Sequence, residues 1–318
     1  MECNMQTILV TDNAGYITSH TYVKLLERDY NVTVVDNLRN SNKEPLNRVK
    51  QITGISATFY ELDLLDKHAP DQVFAQNSID ATIHFEELKA VGKYTQIPLA
   101  YFHNDLTGTL MLLEAMQQAN VFNLVFSSSA TFYSAPPIPY IKHFPLSPTS
   151  PYKHTKVMIE QVLQDAHYAD SRWNVSLSRY FNPIGTHSSG LIGEDPNGIP
   201  NNLMPFITQV AEGKRANLSV FGTDYPTSGG TGVCDYIHAV DLEALEKLEQ
   251  QAPSLADAYN QGTGKGFSLL KGTKVFEKTS GKTIAYEIPD AVQETLQSFM
   301  LTLLVKQGQI KNAKLLLA

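Results

Sequence analysis

The first half of the chain alternates short apolar runs with longer amphipathic stretches. Runs rich in β-branched residues predict six buried strands, at residues 6–10, 31–36, 57–63, 80–85, 123–129 and 174–180. Periodic apolar positions predict helices between them, including residues 19–28, 98–120 and 150–168. Strict alternation of strand and helix is typical of a parallel sheet covered on both faces. The pattern therefore predicts a Rossmann-type, doubly wound α/β fold, whose ligands bind at the carboxyl ends of the strands.

The pattern becomes irregular after Asn182. Gly, Pro and Asn are concentrated in "NPIGTHSSGLIGEDPNGIPNNLMP", and only short apolar runs follow. We therefore predict a Rossmann-type domain over residues 1–182 and a smaller, loop-rich lobe over residues 183–318, with elements that can interleave.

Composition and charge narrow the classes of partner. With 318 residues and 42% hydrophobic residues, the chain can bury a sizeable core. A net charge of -7 without a basic run argues against nucleic acid or an anionic membrane as a partner. Cys3 and Cys234 form neither a metal-ligand spacing nor a disulfide framework. Without a secretory leader or an apolar run of about 18 residues, we expect a cytoplasmic protein with no membrane span and no metal.

The turn after the first predicted strand reads "VTDNAGYITSHT". The three glycine positions of a dinucleotide-binding turn hold Asp12, Gly15 and Thr18, so only the middle glycine is present. Asp36 ends the second strand, where a carboxylate accepts hydrogen bonds from a ribose. Taken alone, Asp36 is more typical of a turn residue that opens "DNLRNS".

A second motif predicts proton-transfer chemistry. "SSSAT" ends a strand, and "PYKHTK" opens a helix with Tyr152 and Lys156 on one face. A nearby ammonium lowers the pKa of a phenol from about 10, so that the phenolate becomes a general base. An isolated pair of this spacing is more often a surface Tyr and a solvated Lys. Its place after a Rossmann-like half favours the catalytic interpretation.

The chain resembles the UDP-glucose (UDP-galactose) 4-epimerases of the extended short-chain dehydrogenase/reductase family. Matching segments run in family order from about residue 6 to residue 288, including "AGYITSHT", "DNLRNS", "LVFSSSAT", "SPYKHTK", "RYFNPIG", "GLIGEDPNGIPNNLMP" and "GTGVCDYIHAVDL". "RYFNP" followed by "IPNNLMP" is specific to the epimerases within that superfamily.

The resemblance implies NAD-dependent interconversion of UDP-glucose and UDP-galactose by transient oxidation at sugar C4, in a homodimer formed through the helices at 98–120 and 150–168. It implies that Tyr152 is the base, that Lys156 tunes it, and that Ser129 binds the reacting oxygen. The implied NAD-binding residues are Gly15, Tyr16, Ile17, Asp36, Asn37, Asn40, Ser41, Asp63, Leu64, Phe85, Lys89, Asn104, Ser127, Tyr152, Lys156 and Phe181. The implied substrate-binding residues are Ser129, Asn182, Asn202, Leu203, Ser219 and Phe221.

Several of these residues also have purely structural interpretations. Ser127 to Ser129 could form a polar strand end, Phe181 and Phe221 could belong to the core, and Asn202 could cap a helix. We interpret His84 as a core histidine with satisfied hydrogen bonds and Trp173 as a packing residue.

The chain departs from the family at its ligand sites. Asp12 and Thr18 replace glycines, and Glu86 and Glu87 stand where the family has Ala-Gly. Cys234 replaces an arginine that binds the UDP diphosphate, and the sequence after "IAYEI" lacks the segment that carries a second such arginine. Two alternatives therefore stay open: a non-catalytic relative that acts as a binding partner, and another NAD-dependent UDP-sugar enzyme, a dehydratase or a decarboxylase.

Overall fold

Among its described residues, the computed structural model contains a large parallel sheet and two small sheets. The model describes residues 5–11, 14–39, 41–85, 96–133, 142–196, 198–200, 202–220, 227, 230–239 and 256–288. The strands are β1 (Thr7–Thr11), β2 (Asn31–Asp36), β3 (Thr58–Glu61), β4 (Ala81–His84), β5 (Asn123–Ser129), β6 (Asn174–Tyr180), β7 (Asn182–Ile184), β8 (Leu218–Ser219), β9 (Val233–His238), β10 (Ala256–Gln261), β11 (Gly266–Ser268) and β12 (Tyr286–Glu287).

Helices connect the strands of the large sheet and continue into the second part of the chain. They are α1 (Tyr16–Leu26), α2 (Glu44–Thr53), α3 (Ala69–Gln76), α4 (Pro98–Phe102), α5 (Gly108–Gln118), α6 (Pro151–Ala169), α7 (Leu203–Ala211) and α8 (Leu269–Ser280). A π-helical segment at His103–Thr107 joins α4 to α5, so the predicted helix at 98–120 has an irregular turn that its apolar pattern did not reveal. A 3-10 turn at Ala130–Phe132 follows β5.

The seven strands of the large sheet are all parallel and confirm the predicted fold class. Their order is β3-β2-β1-β4-β5-β6-β10, and the direction of progression reverses between β1 and β4. In an open sheet of this kind, a ligand binds in the crevice at the carboxyl ends of the strands beside this reversal. The fold therefore places the candidate site next to the ends of β1 and β4.

Alternate strand residues build a core on each face of the sheet. Ile8, Val10 and Ile83 belong to the buried cluster that includes α1 residues. Leu9 and Phe126 belong to the opposite cluster, with residues of α3, α5 and α6. Both faces are apolar because successive strand side chains point in opposite directions and helices cover each side. Trp173 is 3% exposed in the second cluster, which confirms its interpretation as a packing residue.

The second part of the chain contributes both to the large sheet and to two small ones. β10 adds to the large sheet beside β6, although it comes from the second part of the chain. β9 pairs with β7 in parallel and with β11 in antiparallel orientation, and β8 pairs with β12. Among the residues given above, no helix is both long and apolar enough to cross a membrane.

Candidate functional site

The site lies where several strands of the large sheet end and two helices begin. β1, β2, β4 and β5 run parallel, so their carboxyl ends meet at the same edge. α1 begins there after Gly15, and α6 begins after Ser150, whose hydroxyl accepts a hydrogen bond from the Lys153 amide at 3.4 Å. The first turn of each helix therefore faces the same region as the strand ends.

Thr18 closes the first turn of α1. Its hydroxyl accepts a hydrogen bond from the Gly15 amide at 3.0 Å and lies 3.2 Å from the Gly15 carbonyl oxygen. The side chain is 1% exposed and fits within the core beneath the turn. Thr18 therefore adds volume, as the sequence indicates, but it also adds a capping interaction to α1.

Asp36 ties the end of β2 to the turn after β1. Its carboxylate accepts hydrogen bonds from the Ala14 amide, from the Leu38 amide at 2.5 Å and from the Ser41 hydroxyl at 2.9 Å. The residue is 4% exposed. A carboxylate offers about four lone-pair sites, so beside these three donors from the described residues it can accept from a ribose hydroxyl.

Asp63, beyond the end of β3, holds the next part of the same edge. Its carboxylate accepts from the Asn37 amide group at 3.1 Å and from the Leu65 backbone amide at 3.0 Å. Leu64 is buried beside it. Asn37, Asp36 and Asp63 therefore form a continuous polar border on the β2–β3 side.

Lys156 is a buried cation of the candidate site, at 1% exposure. Its ammonium donates to the Ser127 carbonyl at 2.8 Å and to the Phe85 carbonyl at 3.3 Å, so it bridges the ends of β5 and β4. The same Nζ lies 5.8 Å from the ring centroid of Tyr152. The predicted proximity of the Tyr152 and Lys156 side chains is confirmed.

Ser129 ends β5 at the start of the 3-10 turn. Its hydroxyl accepts from the Thr131 amide at 3.2 Å and shares a hydrogen bond with the Thr131 hydroxyl at 2.8 Å. α6 packs against β5 and against this turn, so Ser129 lies beside the helix that carries Tyr152 and Lys156.

Asn104 lies half-buried in the π-helical segment, an irregularity that often marks a functional site. Its amide donates to Asp105 Oδ1 at 3.2 Å, and Asp105 Oδ2 accepts from the Thr155 hydroxyl at 2.8 Å. Asp105 is 1% exposed. Sequence reasoning missed Asp105 because a carboxylate within an apolar helical pattern gives no indication of its partner.

His84 lies in the core immediately behind the site. Its ring nitrogens lie 2.6 Å from the Thr11 hydroxyl and 2.9 Å from the Thr109 hydroxyl, which confirms the interpretation as a satisfied core histidine. Complete burial, with a smaller contribution from the Lys156 charge, lowers its pKa to about 3. His84 therefore stays neutral and adds no second cation beside Lys156.

Several of the residues predicted to bind substrate lie on elements that follow β6 in the chain. Asn182 opens β7 and donates to the Asp235 carbonyl at 3.3 Å. Asn202 occupies the cap position of α7, but its side chain donates to Glu194 Oε1 at 2.5 Å and makes no capping hydrogen bond. Leu203 begins α7, and the Ser219 hydroxyl lies on β8, 3.3 Å from Glu287 Oε1.

Phe181 joins β6 to β7, and Cys234 belongs to the small sheet that contains β7. Phe181 is buried with Ala130 and Tyr133 in a small apolar cluster. Cys234 lies on β9, where burial raises the pKa of its thiol. A neutral thiol at this position supplies no positive charge for a diphosphate. Asp12, Asn40, Glu86, Glu87, Lys89, Phe221 and residues 289–318 lie outside the described residues.

The donor set fits a dinucleotide better than a metal ion. The N-terminus of α1 suits a pyrophosphate, and the buried Asp36 carboxylate suits an adenosine ribose. The buried Lys156 ammonium suits a second ribose. Within the part of the chain that the structure describes, no group of three or more His, Cys, Asp or Glu side chains could hold a metal ion.

Comparisons with known proteins agree with this geometry. Residues 8–253 match the model of the NAD dependent epimerase/dehydratase family. The chain is 59% identical over 289 residues to a UDP-glucose 4-epimerase of Bacillus subtilis, covering 89% of this chain and 85% of that relative.

Two solved structures are also similar. The UDP-glucose 4-epimerase of Bifidobacterium longum, in complex with NAD+ and UDP, has a TM-score of 0.85 and 45% identity, covering 89% of this chain and 86% of that one. The enzyme of Stenotrophomonas maltophila, with bound NAD and formylated UDP-arabinopyranose, has a TM-score of 0.88 and 40% identity, covering 94% and 89%.

Proposed function

Because the chain belongs to the NAD dependent epimerase/dehydratase family, we propose that it interconverts UDP-glucose and UDP-galactose with bound NAD. The observation that carries this proposal is the buried Lys156 ammonium, held by two strand ends next to Tyr152. The chain thus keeps the acid–base pair of the family, although its residues differ from the family at other ligand-binding positions.

The residues proposed to hold NAD follow the edge of the large sheet. The first turn of α1, with Gly15, Tyr16 and Ile17, would bind the pyrophosphate, and Asp36 would bind a ribose hydroxyl. The rest of the proposed cofactor set is Asn37, Asn40, Ser41, Asp63, Leu64, Phe85, Lys89, Asn104, Ser127, Tyr152, Lys156 and Phe181. When bound, NAD supplies the acceptor and then the donor of the hydride at sugar C4.

Tyr152 would move the proton in this reaction. Its phenolate oxygen accepts the proton of the sugar 4-hydroxyl as the C4–O bond becomes a carbonyl. The neutral phenol returns the same proton to that oxygen when C4 is reduced again. Proton and hydride both return to the sugar, so the reaction consumes nothing and changes only the configuration at C4.

Lys156 and Ser129 would stabilise the charges that accompany this transfer. A buried ammonium next to a phenol favours its ionised form, because an opposite charge at short range interacts strongly where water is excluded. The Ser129 hydroxyl would donate to the reacting sugar oxygen. Asn182, Asn202, Leu203, Ser219 and Phe221 are the residues proposed to bind the remainder of the UDP-sugar.

A Tyr152→Phe variant tests this assignment against a control on the same helix. We expect UDP-galactose turnover to fall by about 10² to 10⁴, the usual contribution of a general base, with the NAD content unchanged. Tyr168 also lies on α6 but is 94% exposed, so Tyr168→Phe should retain activity. Equal turnover by the wild type and Tyr152→Phe would refute the proposed base.

A non-catalytic relative is the second candidate, favoured by the neutral Cys234 and by the Gly15 amide that already donates to Thr18. Denaturing the purified protein and assaying the supernatant for NAD separates the two. Stoichiometric NAD with product formation supports the enzyme. If the supernatant contains no NAD and the thermal midpoint does not shift when NAD and UDP-galactose are added, the result supports the binding-partner alternative.

We also propose a homodimer formed through α4, α5 and α6. Large apolar side chains are exposed on these helices, including Leu99 at 80%, Leu110 at 46% and Met158 at 44%. Apolar positions exposed on neighbouring helices suit an interface between two copies of one chain.

The cytoplasmic location of the protein stays a prediction.

A further inference from the structure

A buried ion pair lies one helical turn beyond Lys156 on the same face of α6. Tyr152, Lys156 and Glu160 are spaced four residues apart, so they line one side of the helix. Glu160 is 1% exposed and Arg179 on β6 is 3% exposed. The proposed chemistry uses neither residue.

The pair connects α6 to both neighbouring strands. Arg179 Nε donates to Glu160 Oε1 at 2.9 Å, and Nη2 donates to Glu160 Oε2, so the contact is bidentate. Ser128 on β5 donates to Glu160 Oε1 at 2.5 Å. The pKa of Arg179 is raised: burial opposes the charge, but the hydrogen bonds and negative charge of Glu160 outweigh it.

The other side of the guanidinium extends this network toward β10. Arg179 Nη1 donates to the Tyr133 hydroxyl at 2.7 Å and to the Lys142 carbonyl at 3.0 Å. The Tyr133 hydroxyl donates to Asn260 Oδ1 at 2.7 Å. Arg179 therefore has a fixed position, and it holds Glu160 in one place relative to the sheet.

Stability alone does not explain such a pair, because apolar residues of similar volume often replace a buried ion pair without loss of stability. Its location is more informative. Ser128, which Glu160 holds, lies between Ser127, whose carbonyl holds Lys156, and Ser129, the proposed partner of the reacting oxygen. A shift of α6 along β5 would therefore change both contacts at once.

We propose that Glu160 and Arg179 are positioning residues that fix α6 against the end of β5 and so set where Tyr152 and Lys156 stand relative to Ser129. The inference rests on the proposed epimerase function, since it concerns the placement of that acid–base pair. Bidentate geometry suits this role, because two parallel hydrogen bonds restrict rotation as well as distance.

The test replaces both charges in the NAD-loaded protein, with Glu160→Leu and Arg179→Met combined. We expect kcat to fall by about 10²-fold, as for other small misplacements of catalytic groups, with KM and NAD content close to the wild type. We also expect the acid limb of the kcat profile to move to higher pH, because a more distant Lys156 lowers the phenol pKa less. A purely structural pair would leave this limb in place.

The control replaces a different ion pair next to this network. Lys142 Nζ and Asp257 lie 2.6 Å apart, and both side chains are about one-third exposed. Combined Lys142→Met and Asp257→Asn substitutions leave the Lys142 carbonyl intact and should retain the wild-type kcat and pH profile. If the double variant of Glu160 and Arg179 does not fold, Ser128→Ala removes only the contact between Glu160 and β5 and should shift kcat and the acid limb in the same direction.

A folded, NAD-loaded variant with wild-type kcat and an unmoved acid limb would overturn the inference and leave the proposed function standing. If the wild type itself shows no epimerisation, the proposed function fails. In that case the phenol is titrated by ultraviolet difference spectra against Tyr152→Phe, with and without the Glu160 and Arg179 substitutions. An unchanged Tyr152 titration then overturns the positioning role independently of turnover.

Discussion

Thr18 shows how one residue can depart from a motif and still support the local structure. Glycine at this position lets a helix pack closely on a strand, whereas Thr18 adds a buried hydroxyl that bonds to the Gly15 amide. An amide at a helix N-terminus otherwise lacks an intrahelical partner. The side chain therefore offsets part of the cost of its own volume.

This interaction predicts different outcomes for two substitutions of Thr18. Thr18→Val keeps the shape but removes the hydroxyl, so the free energy of unfolding should fall by about 1 kcal/mol, as for the loss of a helix cap. Thr18→Ser keeps the hydroxyl and should lose clearly less. Urea unfolding of the three proteins measures both differences, and equal losses would show that the capping bond contributes nothing.

His20 makes stability depend on pH. The side chain is 1% exposed, and one ring nitrogen bonds to the Tyr16 carbonyl at 2.9 Å. Its Nε2 has no hydrogen-bond partner among the described residues. Burial lowers the pKa of His20 to about 4, against an opposing backbone bond, with smaller contributions from the charges of His238, His187 and Lys24.

The direction in which the free energy of unfolding changes with pH follows from proton binding by His20. Unfolded histidine takes up a proton below about pH 6.5, whereas folded His20 stays neutral down to about pH 4, so acidification favours the unfolded state. Between these values, His20 should remove up to about 1.4 kcal/mol of stability per pH unit. A His20→Gln variant should show a shallower slope by that amount in urea unfolding at pH 4 to 7. Parallel slopes for the two proteins would contradict the assignment.

Among the elements, the loop after β10 packs tightly against its neighbours. A Cβ at Gly262 would lie 2.6 Å from Asp235 Oδ2 and 2.9 Å from Phe181 Cδ2. Asp235 cannot move freely, because it accepts hydrogen bonds from the amides of Thr263 at 2.9 Å and Gly264 at 2.8 Å. The absence of a side chain at Gly262 is therefore what lets β9, β10 and Phe181 meet.

Gly262→Ala should lower the free energy of unfolding by about 1–3 kcal/mol, the usual cost of overpacking. Gly272 provides the control, because it lies inside α8 and a Cβ there would be 4.0 Å from Leu203 Cδ2. Gly272→Ala should raise stability by about 0.5–1 kcal/mol, since alanine favours a helix interior. Thermal unfolding compares the two, and a neutral Gly262→Ala would show that the loop can relax.

At the scale of the whole molecule, the repeating pattern of strands and helices was enough to predict the large sheet. The predicted strands 31–36, 123–129 and 174–180 coincide with β2, β5 and β6, because each is an uninterrupted buried run. The seventh strand, β10, was not predictable, because its sequence "ADAYNQ" has no apolar run. It belongs to the sheet because it pairs with β6. Long-range pairing of this kind leaves no local pattern.

The candidate site was predictable to the same extent. Tyr152 and Lys156 share a helical face, so their spacing alone indicated that they lie together. The contacts of Glu160 with Ser128 and Arg179 join residues 32 and 19 positions apart, respectively, and no periodicity links them. Sequence thus predicts chemistry that one helix carries, whereas the groups that hold the helix in place emerge only from the fold.

The proposed homodimer gives the last prediction. In a two-fold interface each residue occurs twice, so one added charge introduces two buried charges of the same sign. Leu110→Glu combined with Met158→Glu should raise the dimer dissociation constant by at least about 10²-fold, equivalent to about 2.7 kcal/mol. Ile55, 48% exposed beyond the end of α2, supplies the matched control Ile55→Glu. Sedimentation velocity across a dilution series should show that only the first variant dissociates, and a wild-type protein that sediments as a monomer throughout would rule out the dimer.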